Sequence, residues 1–581
     1  MKLIGKFLTV NKRLVLFTFL SLCIQVIGTL GVPLLVAKLI DEGIVSGNSA
    51  SVTWIGIEML GMAIIGSIGA IIGSWLSAEL AAKFGFEIRN SFFDKVQLLS
   101  IKDTEEFGTA TLLTRMTNDV DNIQRMLVLF LQMILPAPII SIFAIIMTYL
   151  HSPKLAMIPL LSIIIYGGIA TYLLKKGVPF SNQIQKNIDR VMVTLREFFN
   201  GITMIRAFDN QDYEEKRTNQ TFEEYGNSMI RVNQIFAWLT PVAFLIMGVV
   251  FALIIWFGGV LIGFGEIEIG IVTAVIEYSM LTLAYLMMAA MVLVTLPQSL
   301  ASLKRLEEVL GTNEEIKDYV LQSEGNLVAK STDQVMVNYH KVTFSYDRAT
   351  DPVLENIDFT ILKGKTTAIV GGTGSGKSTV AKLLLRLSDV NAGSVVFDGI
   401  DIRNLSQADL RSRTSYVPQK AFLFSGTIES NLRMGKPDAT TEELAKALDT
   451  AQATEFIASL KDGMDSFVAQ GGDNFSGGQK QRLCIARALI KPADIYIFDD
   501  SFSALDYKTD VLLRQALKRE MGEKTLLIVA QRLSTIQEAD QIIVLDDGRI
   551  VGKGTHQELV NNNQTYQEFA ASQGMIGKGE Q

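Results

Sequence analysis

Two cysteines and three histidines in 581 residues leave little room for several kinds of chemistry. Cys23 lies in an apolar run and Cys484 in a helical pattern, so the chain has neither a disulfide framework nor a cysteine-rich metal site. A positive surplus is missing as well. The 53 Lys and Arg face 60 Asp and Glu, a net charge of −7, which excludes a chain built to neutralise the phosphates of DNA or RNA, and no nucleic-acid partner is expected. Charge itself is scarce at the start. Only 43 of the first 300 residues are charged, against 70 of the remaining 281, so the first part has the composition of a membrane domain and the second that of a soluble one.

In place of charge, the first part holds six apolar runs: Leu14 to Ile40, Trp54 to Leu76, Met126 to Leu150, Leu155 to Leu174, Phe236 to Ile262 and Ile269 to Leu296. Each is long enough, at about 1.5 Å per helical residue, to cross about 30 Å of hydrocarbon. The first follows Lys2, Lys6, Lys12 and Arg13. Its length far exceeds the apolar core of a secretory signal, about 7 to 15 residues, so it is expected to stay as a span. Six Lys and Arg (Lys83, Arg89, Lys95, Lys102, Arg115, Arg125) fall in the connection after the second run and nine in the one after the fourth, while the opposite connections have almost none. This bias places both termini and both long connections in the cytoplasm, with residues 41–53, 151–154 and 263–268 outside. The long connections keep apolar residues at helical spacing over Glu87 to Leu99 and Gln183 to Phe199, and read as helices continuing beyond the bilayer.

Glu277 and Tyr278, followed by Tyr285 and several methionines, lie in the last span. An ionisable group at membrane depth suits a substrate contact, and methionines suit variable ligands. A position near the outer headgroups, with the methionines packed between helices or facing lipid, accounts for the same residues. The expected domains are a transmembrane domain at 1–310, a linker at 311–334, a soluble domain at 335–572 and a loose polar tail at 573–581.

The soluble part opens its chemistry at Thr366 to Val370, a short buried-type strand. It runs into Gly371-Gly372-Thr373-Gly374-Ser375-Gly376-Lys377-Ser378-Thr379 and then an apolar helix. This is a phosphate-binding loop in its strand-loop-helix context. Gly371, Gly374 and Gly376 let backbone N–H groups close around phosphate, the helix start adds positive potential at Lys377 to Thr379, Lys377 reaches the β and γ phosphates, and Ser378 ligates Mg²⁺. A second apolar strand, Ile495 to Phe498, ends in Asp499, the carboxylate expected to hold the same Mg²⁺ through water.

Between these strands lies Asn474-Phe475-Ser476-Gly477-Gly478-Gln479, heading a helix through Cys484 to Leu489. With this segment nearly the whole chain resembles a half-size exporter of the ATP-binding cassette (ABC) family. Phe475 to Gln479 matches the family signature, usually Leu-Ser-Gly-Gly-Gln, with a conservative first residue. The resemblance implies an all-α six-helix transmembrane domain of the type IV exporter architecture followed by an α/β P-loop cassette. It implies ATP and Mg²⁺ as ligands, cassettes paired head to tail, and Ser476, Gly477, Gly478 and Gln479 on the γ-phosphate held by the opposite cassette. Tyr346 matches the aromatic that stacks on adenine, although a tyrosine in a β segment is equally a core residue. Gln419, in Tyr416-Val417-Pro418-Gln419, matches the glutamine that touches Mg²⁺ or its water. Ser503-Ala504-Leu505-Asp506 matches the loop that crosses between cassettes, and short coupling helices are implied near Phe107 to Thr111 and Phe208 to Asp212.

Two residues depart from the family, both in one site. Asp500 stands where a hydrolysing cassette has glutamate, which draws the carboxylate back by roughly 1 Å, a misplacement that can cost about 10²-fold in rate. Gln531 stands where the family has histidine; it can donate a hydrogen bond but cannot become cationic or relay a proton. The pattern resembles the degenerate subunit of heterodimeric bacterial multidrug exporters. It implies a weak catalytic site on this chain, a partner half-transporter bearing Glu and His, and amphipathic small molecules as substrates. A homodimer that hydrolyses slowly at Asp500 and exports lipid or peptide, and a membrane regulator that binds ATP without transport, also fit the sequence.

Overall fold

Asn48 caps a helix where the sequence suggests a loop. Its side-chain oxygen accepts from the N–H groups of Ala50 and Ser51 at 3.2 and 3.3 Å. The outer connection expected at 41–53 is therefore short, with a π-helical turn Leu39–Val45 on one side and the helix Ser49–Leu98 on the other. The computed structural model describes residues 2–313, 315–316, 334–346 and 351–575; most of the expected linker and residues 576–581 of the expected tail lie outside them.

Among the described residues six helices are long and apolar enough to cross a membrane: Lys12–Val45, Ser49–Leu98, Thr109–His151, Pro153–Ala207, Gln211–Gly263 and Ile269–Leu293. They contain the first five apolar runs and most of the sixth, whose helix ends at Leu293 rather than at Leu296. The expected extensions are present too, since Ser49–Leu98 and Pro153–Ala207 run unbroken for 50 and 55 residues. At 1.5 Å per residue each spans about 80 Å, more than twice a bilayer core. At the tip of the first long connection two short helices, Ile101–Phe107 and Thr109–Thr114, meet at Gly108. The second tip departs from expectation: Phe208 to Asn210 form a tight turn with Asp209 at φ 51°, and the next helix starts directly at Gln211.

The spans meet through small residues. A Cβ added at Gly28 would lie 2.2 Å from Gly66 Cα, so the first two spans touch backbone to backbone there. In lipid, where apolar burial between helices gains little, such close approach supplies the contact. All four tryptophans, Trp54, Trp75, Trp238 and Trp256, are more than 60% exposed, so the outer face of this unit is apolar as a lipid-facing surface must be. Below the spans the packing turns polar. Buried Asp119 accepts from Arg305 Nε and from Ser302 Oγ, both at 2.8 Å. Arg115 pairs with Glu308 at 2.9 Å, and Ser299 Oγ donates to the Asn122 carbonyl at 3.4 Å. Residues 299, 302, 305 and 308 of the helix Leu296–Gly311 thus meet residues 115–122 turn by turn, and a π-helical segment, Arg115–Asp119, supplies the partners of the last three.

The C-terminal unit is an α/β cassette. Its six-stranded sheet has the order Arg549–Gly554, Gln541–Asp546, Thr366–Gly371, Thr525–Val529, Ile495–Asp499, Thr414–Val417; only the first pair is antiparallel. The central strands alternate between two cores. Ala368, Val370, Tyr496 and Phe498 face one, with the helix Gly477–Ile490, while Ile369, Ile495, Ile497 and Val529 face the other. Parallel strands covered on both faces read as continuous apolar runs for this reason. The second core is closed by an antiparallel sheet, ordered Leu354–Leu362, Val335–Phe344, Ala392–Phe397, Ile400–Asp401. There Tyr339 stacks on Phe359 at 4.6 Å and donates to the Val380 carbonyl at 2.8 Å.

Candidate functional site

Four strand ends meet at one place. In the register of the six-stranded sheet Val529 lies opposite both Ile369 and Asp499, and Val417 lies opposite Phe498. Just past these ends come the phosphate-type loop, Asp500, Gln531 and Gln419. Open α/β sheets bind ligands at such carboxyl ends. The four segments line a cavity of about 320 Å³ whose walls include Gly374, Lys377, Thr379, Gln419, Asp500 and Gln531.

The loop turns through Gly374 and Gly376, at φ 87° and 92°, a region that disfavours side chains, and the helix Lys377–Leu384 begins directly after it. A Cβ on Gly371 would sit 2.1 Å from the Leu545 carbonyl, so that position too is closed to side chains. Lys377 Nζ donates to the carbonyls of Gly371 and Gly372 at 3.0 and 2.6 Å. Burial holds its ammonium below the ordinary lysine pKa, opposed by the charges of Asp500 and Asp499. A desolvated cation at a helix start, bonded to neutral carbonyls, attracts phosphate oxygens strongly. Thr379, in the first helical turn, has its hydroxyl 3.2 Å from that of Tyr346. The Tyr346 ring stands edge-on to Phe344 and is 41% exposed, which leaves it reachable from solvent.

Ser378 Oγ donates to Asp499 Oδ1 at 2.7 Å, and the Tyr416 hydroxyl donates to Asp499 Oδ2 at 3.1 Å. Gln419 Nε2 donates to Asp500 Oδ2 at 3.2 Å. Ser378, Asp499 and Gln419 offer oxygen and no sulfur or imidazole, a donor set that fits Mg²⁺, which would compensate two adjacent carboxylates and polarise phosphate oxygens. Asp500 is buried, with φ 46° and its N–H bonded to the Val529 carbonyl at 2.8 Å. Burial raises its pKa above the usual carboxylate value; the Gln419 hydrogen bond opposes this, and the charge of Asp499 adds to it.

Gln531 is exposed, and its side chain makes no hydrogen bond among the described residues, but its backbone is held. Gln573 Nε2 donates to the Gln531 carbonyl and Gln573 Oε1 accepts from the Leu533 N–H, both at 2.8 Å. Gln573 was expected to begin a loose tail; instead it fastens the loop after the strand Thr525–Val529. None of the three histidines lines the cavity. His340 faces Asp358, and His556 Nδ1 lies 2.7 Å from the Tyr566 hydroxyl.

Ser476, Gly477, Gly478 and Gln479 form the start of the helix Gly477–Ile490. Ser476 Oγ accepts from the Gln479 N–H at 3.3 Å, and Gln479 Oε1 accepts from the Ser476 N–H at 2.9 Å. Phe475 is buried near Phe456, so the aromatic variant of the signature's first position serves the core. Ser476 and Gly477 are exposed, and nothing lies within 4 Å of a Cβ placed on Gly477. Asp506, at the end of the Ser503 to Asp506 loop, caps the helix Tyr507–Met521 by accepting from the Thr509 N–H at 3.1 Å.

In the membrane unit the three substrate candidates part company. Glu277 is half-buried and has no hydrogen-bond or ion-pair partner among the described residues. Tyr278 is buried, its hydroxyl donating to the Leu30 carbonyl at 3.1 Å, and Tyr285 packs against the same apolar cluster.

The protein family described as the ABC transporter transmembrane region matches residues 14–286, and the ABC transporter family matches residues 354–503. An uncharacterized ABC transporter ATP-binding protein of Mycobacterium tuberculosis (strain CDC 1551 / Oshkosh) is 37% identical over 569 residues, 97% of this chain and 96% of its own length. The chain belongs to the ABC transporter family. The transporter is also 29% identical, over 99% of both chains, to a Bacillus subtilis (strain 168) protein named "Putative multidrug export ATP-binding/permease protein YgaD". A solved structure of a bacterial Atm1-family ABC exporter with ATP bound matches it with a TM-score of 0.83 at 25% identity, over 98% of this chain and 99% of that one. Six apolar helices followed by an α/β cassette make the transporter an exporter of type IV architecture, and its cassette an ATPase-type domain. Tyr416 is the site residue that sequence reasoning passed over. Its only sequence signal was its place three residues before Gln419.

Proposed function

We propose that this ABC transporter is one half of a heterodimeric exporter of amphipathic small molecules, with a weakly hydrolysing ATP site on this chain and a signature that completes the partner's site. The single observation that carries the reading is the contact between Asp500 and Gln419 beside Gln531, in a cavity with no histidine on its walls. ATP binds through the loop Gly371 to Thr379 with Tyr346 at the base, and Mg²⁺ through Ser378, Asp499 and Gln419. Binding groups are in place; the longer carboxylate and the imidazole that drive water attack are not. On the other side Ser476 to Gln479 present an exposed helix start to the partner's nucleotide, and Gly477 leaves room for it. The distribution of Lys and Arg supports an orientation with both termini and the cassette in the cytoplasm, and the bacterial relatives support a bacterial plasma membrane as the location. The Bacillus subtilis relative's name supports multidrug export as the substrate class.

Purification from the native host tests the pairing: the chain that copurifies is expected to carry Glu and His at the positions of Asp500 and Gln531. In that complex Ser476→Arg, on this chain alone, is expected to abolish most ATP hydrolysis. Full hydrolysis by the Ser476→Arg complex, or a chain that copurifies only with itself, overturns the reading in favour of a homodimer.

A further inference from the structure

Asp499 is 2% exposed and both its carboxylate oxygens are engaged. One bond comes from Ser378, a residue that itself faces the cavity. The other comes from Tyr416, on the neighbouring strand. The parallel ladder sets Tyr416 opposite Ile497 and Val417 opposite Phe498, so the phenol reaches the strand end where Asp499 sits. Val417 faces the first cassette core, whereas the half-buried Tyr416 points to the opposite face of the strand, where its ring packs against the second.

We propose that Tyr416 is a positioning residue for Mg²⁺-ATP: its hydroxyl holds Asp499 Oδ2 and thereby keeps Oδ1 turned toward Ser378, the oxygen pair that takes the metal ion. The inference rests on the reading that the loop Gly371 to Thr379 binds Mg²⁺-ATP. A carboxylate with one oxygen fixed cannot swing about its terminal torsion, so the oxygen facing the cation is preorganised. Outer partners of metal ligands commonly change metal affinity by about 10- to 100-fold when removed. Ser378 and Asp499 meet the ion or its water; Tyr416 acts only through Asp499.

The test uses the full-length chain in detergent and its Tyr416→Phe variant, which keeps the ring and its packing and removes only the hydroxyl. A fluorescent ATP analogue titrated in EDTA measures metal-free nucleotide binding. The cassette's thermal midpoint, followed at saturating ATP over a series of Mg²⁺ concentrations, measures the metal. Tyr416→Phe is expected to bind the analogue in EDTA as the parent does and to need about 10-fold more Mg²⁺ for half of the thermal shift. Ser378→Ala, which removes a direct ligand, is expected to weaken the Mg²⁺ response at least as much. An unchanged Mg²⁺ midpoint in Tyr416→Phe overturns the proposal, as does an equal loss of binding in EDTA, which marks a distorted pocket. If the parent binds no nucleotide under either condition, the underlying reading of the loop fails and takes the proposal with it; if it binds without any Mg²⁺ response, only the proposal fails.

Discussion

Gln419 donates its side-chain amide to Asp500 Oδ2 at 3.2 Å, joining the segment beyond the strand Thr414–Val417 to the one beyond Ile495–Asp499. The register explains the meeting, since Val417 lies opposite Phe498 and each partner comes two residues later. The aspartate is thus engaged at the cavity wall by the glutamine expected to touch the metal's water, where a longer side chain would carry its carboxylate further into the space.

Lengthening that side chain and restoring the imidazole should therefore restore chemistry. Asp500→Glu with Gln531→His is expected to raise phosphate release at this site by about 10- to 100-fold, and each change alone by less, because base and γ-phosphate contact act on one water. Steady-state phosphate release, with the partner's site silenced, is the measurement. No gain in the double variant removes the degenerate-site reading.

Asp500 also sets a pH dependence of stability. Its pKa is raised in the folded chain, chiefly by burial, so the native state keeps the proton to higher pH than the unfolded chain. The native state then binds more protons in the window just above the ordinary carboxylate value, and stability falls as pH rises through it. Asp500→Asn removes the penalty. Its cassette is expected to melt about 1–4 °C higher at neutral pH, with the gain vanishing at pH low enough to protonate an unfolded aspartate. A gain that does not vary between pH 4 and 8 would point to packing instead.

The buried Asp119 makes a separate expectation for the membrane unit. Arg305→Met leaves the buried carboxylate with its Ser302 hydrogen bond but without the half-exposed guanidinium, which is expected to cost about 1–3 kcal/mol. Adding Asp119→Asn to that variant is expected to recover a large part of the loss, because the stranded charge is gone. A double-mutant cycle on thermal unfolding in detergent separates the two; equal losses in the single and double variants show that Asp119 needs no cation.

Among the described residues Glu277 stands without a partner inside the last span, whereas the Tyr278 hydroxyl is spent on Leu30. If amphipathic substrates meet this carboxylate, Glu277→Gln should raise the half-maximal concentration of cationic compounds that stimulate ATP hydrolysis by about 10-fold, equivalent to about 1.4 kcal/mol, and leave neutral ones unchanged. An equal effect on both classes takes Glu277 off the substrate path.

The number of spans and the phosphate loop were legible because each is written in a local run: an apolar stretch longer than a core helix needs, and glycines spaced between a strand and a helix. The signature, Gln419, Asp500 and Gln531 were legible through their fixed order along the chain. Contacts between distant segments were not. Nothing around Tyr416 announces Asp499, 83 positions later. Arg305 and Asp119 stand 186 positions apart, and only the packing of their two helices brings the guanidinium to the buried carboxylate. Gln573 read as tail because its neighbours are polar, and its role appears only where the chain returns to the loop at Gln531. The outer turn failed for a local reason, the capping by Asn48, which a reading of apolar runs does not weigh.

The bond between Ser476 Oγ and the Gln479 N–H spends a lone pair and leaves the hydroxyl's hydrogen unspent. In the proposed pairing, folding and recognition therefore draw on opposite ends of one small dipole. An aspartate would close the same helix turn as firmly yet turn a negative face outward, so what this position must preserve is the sign of what it presents, not the strength of the turn.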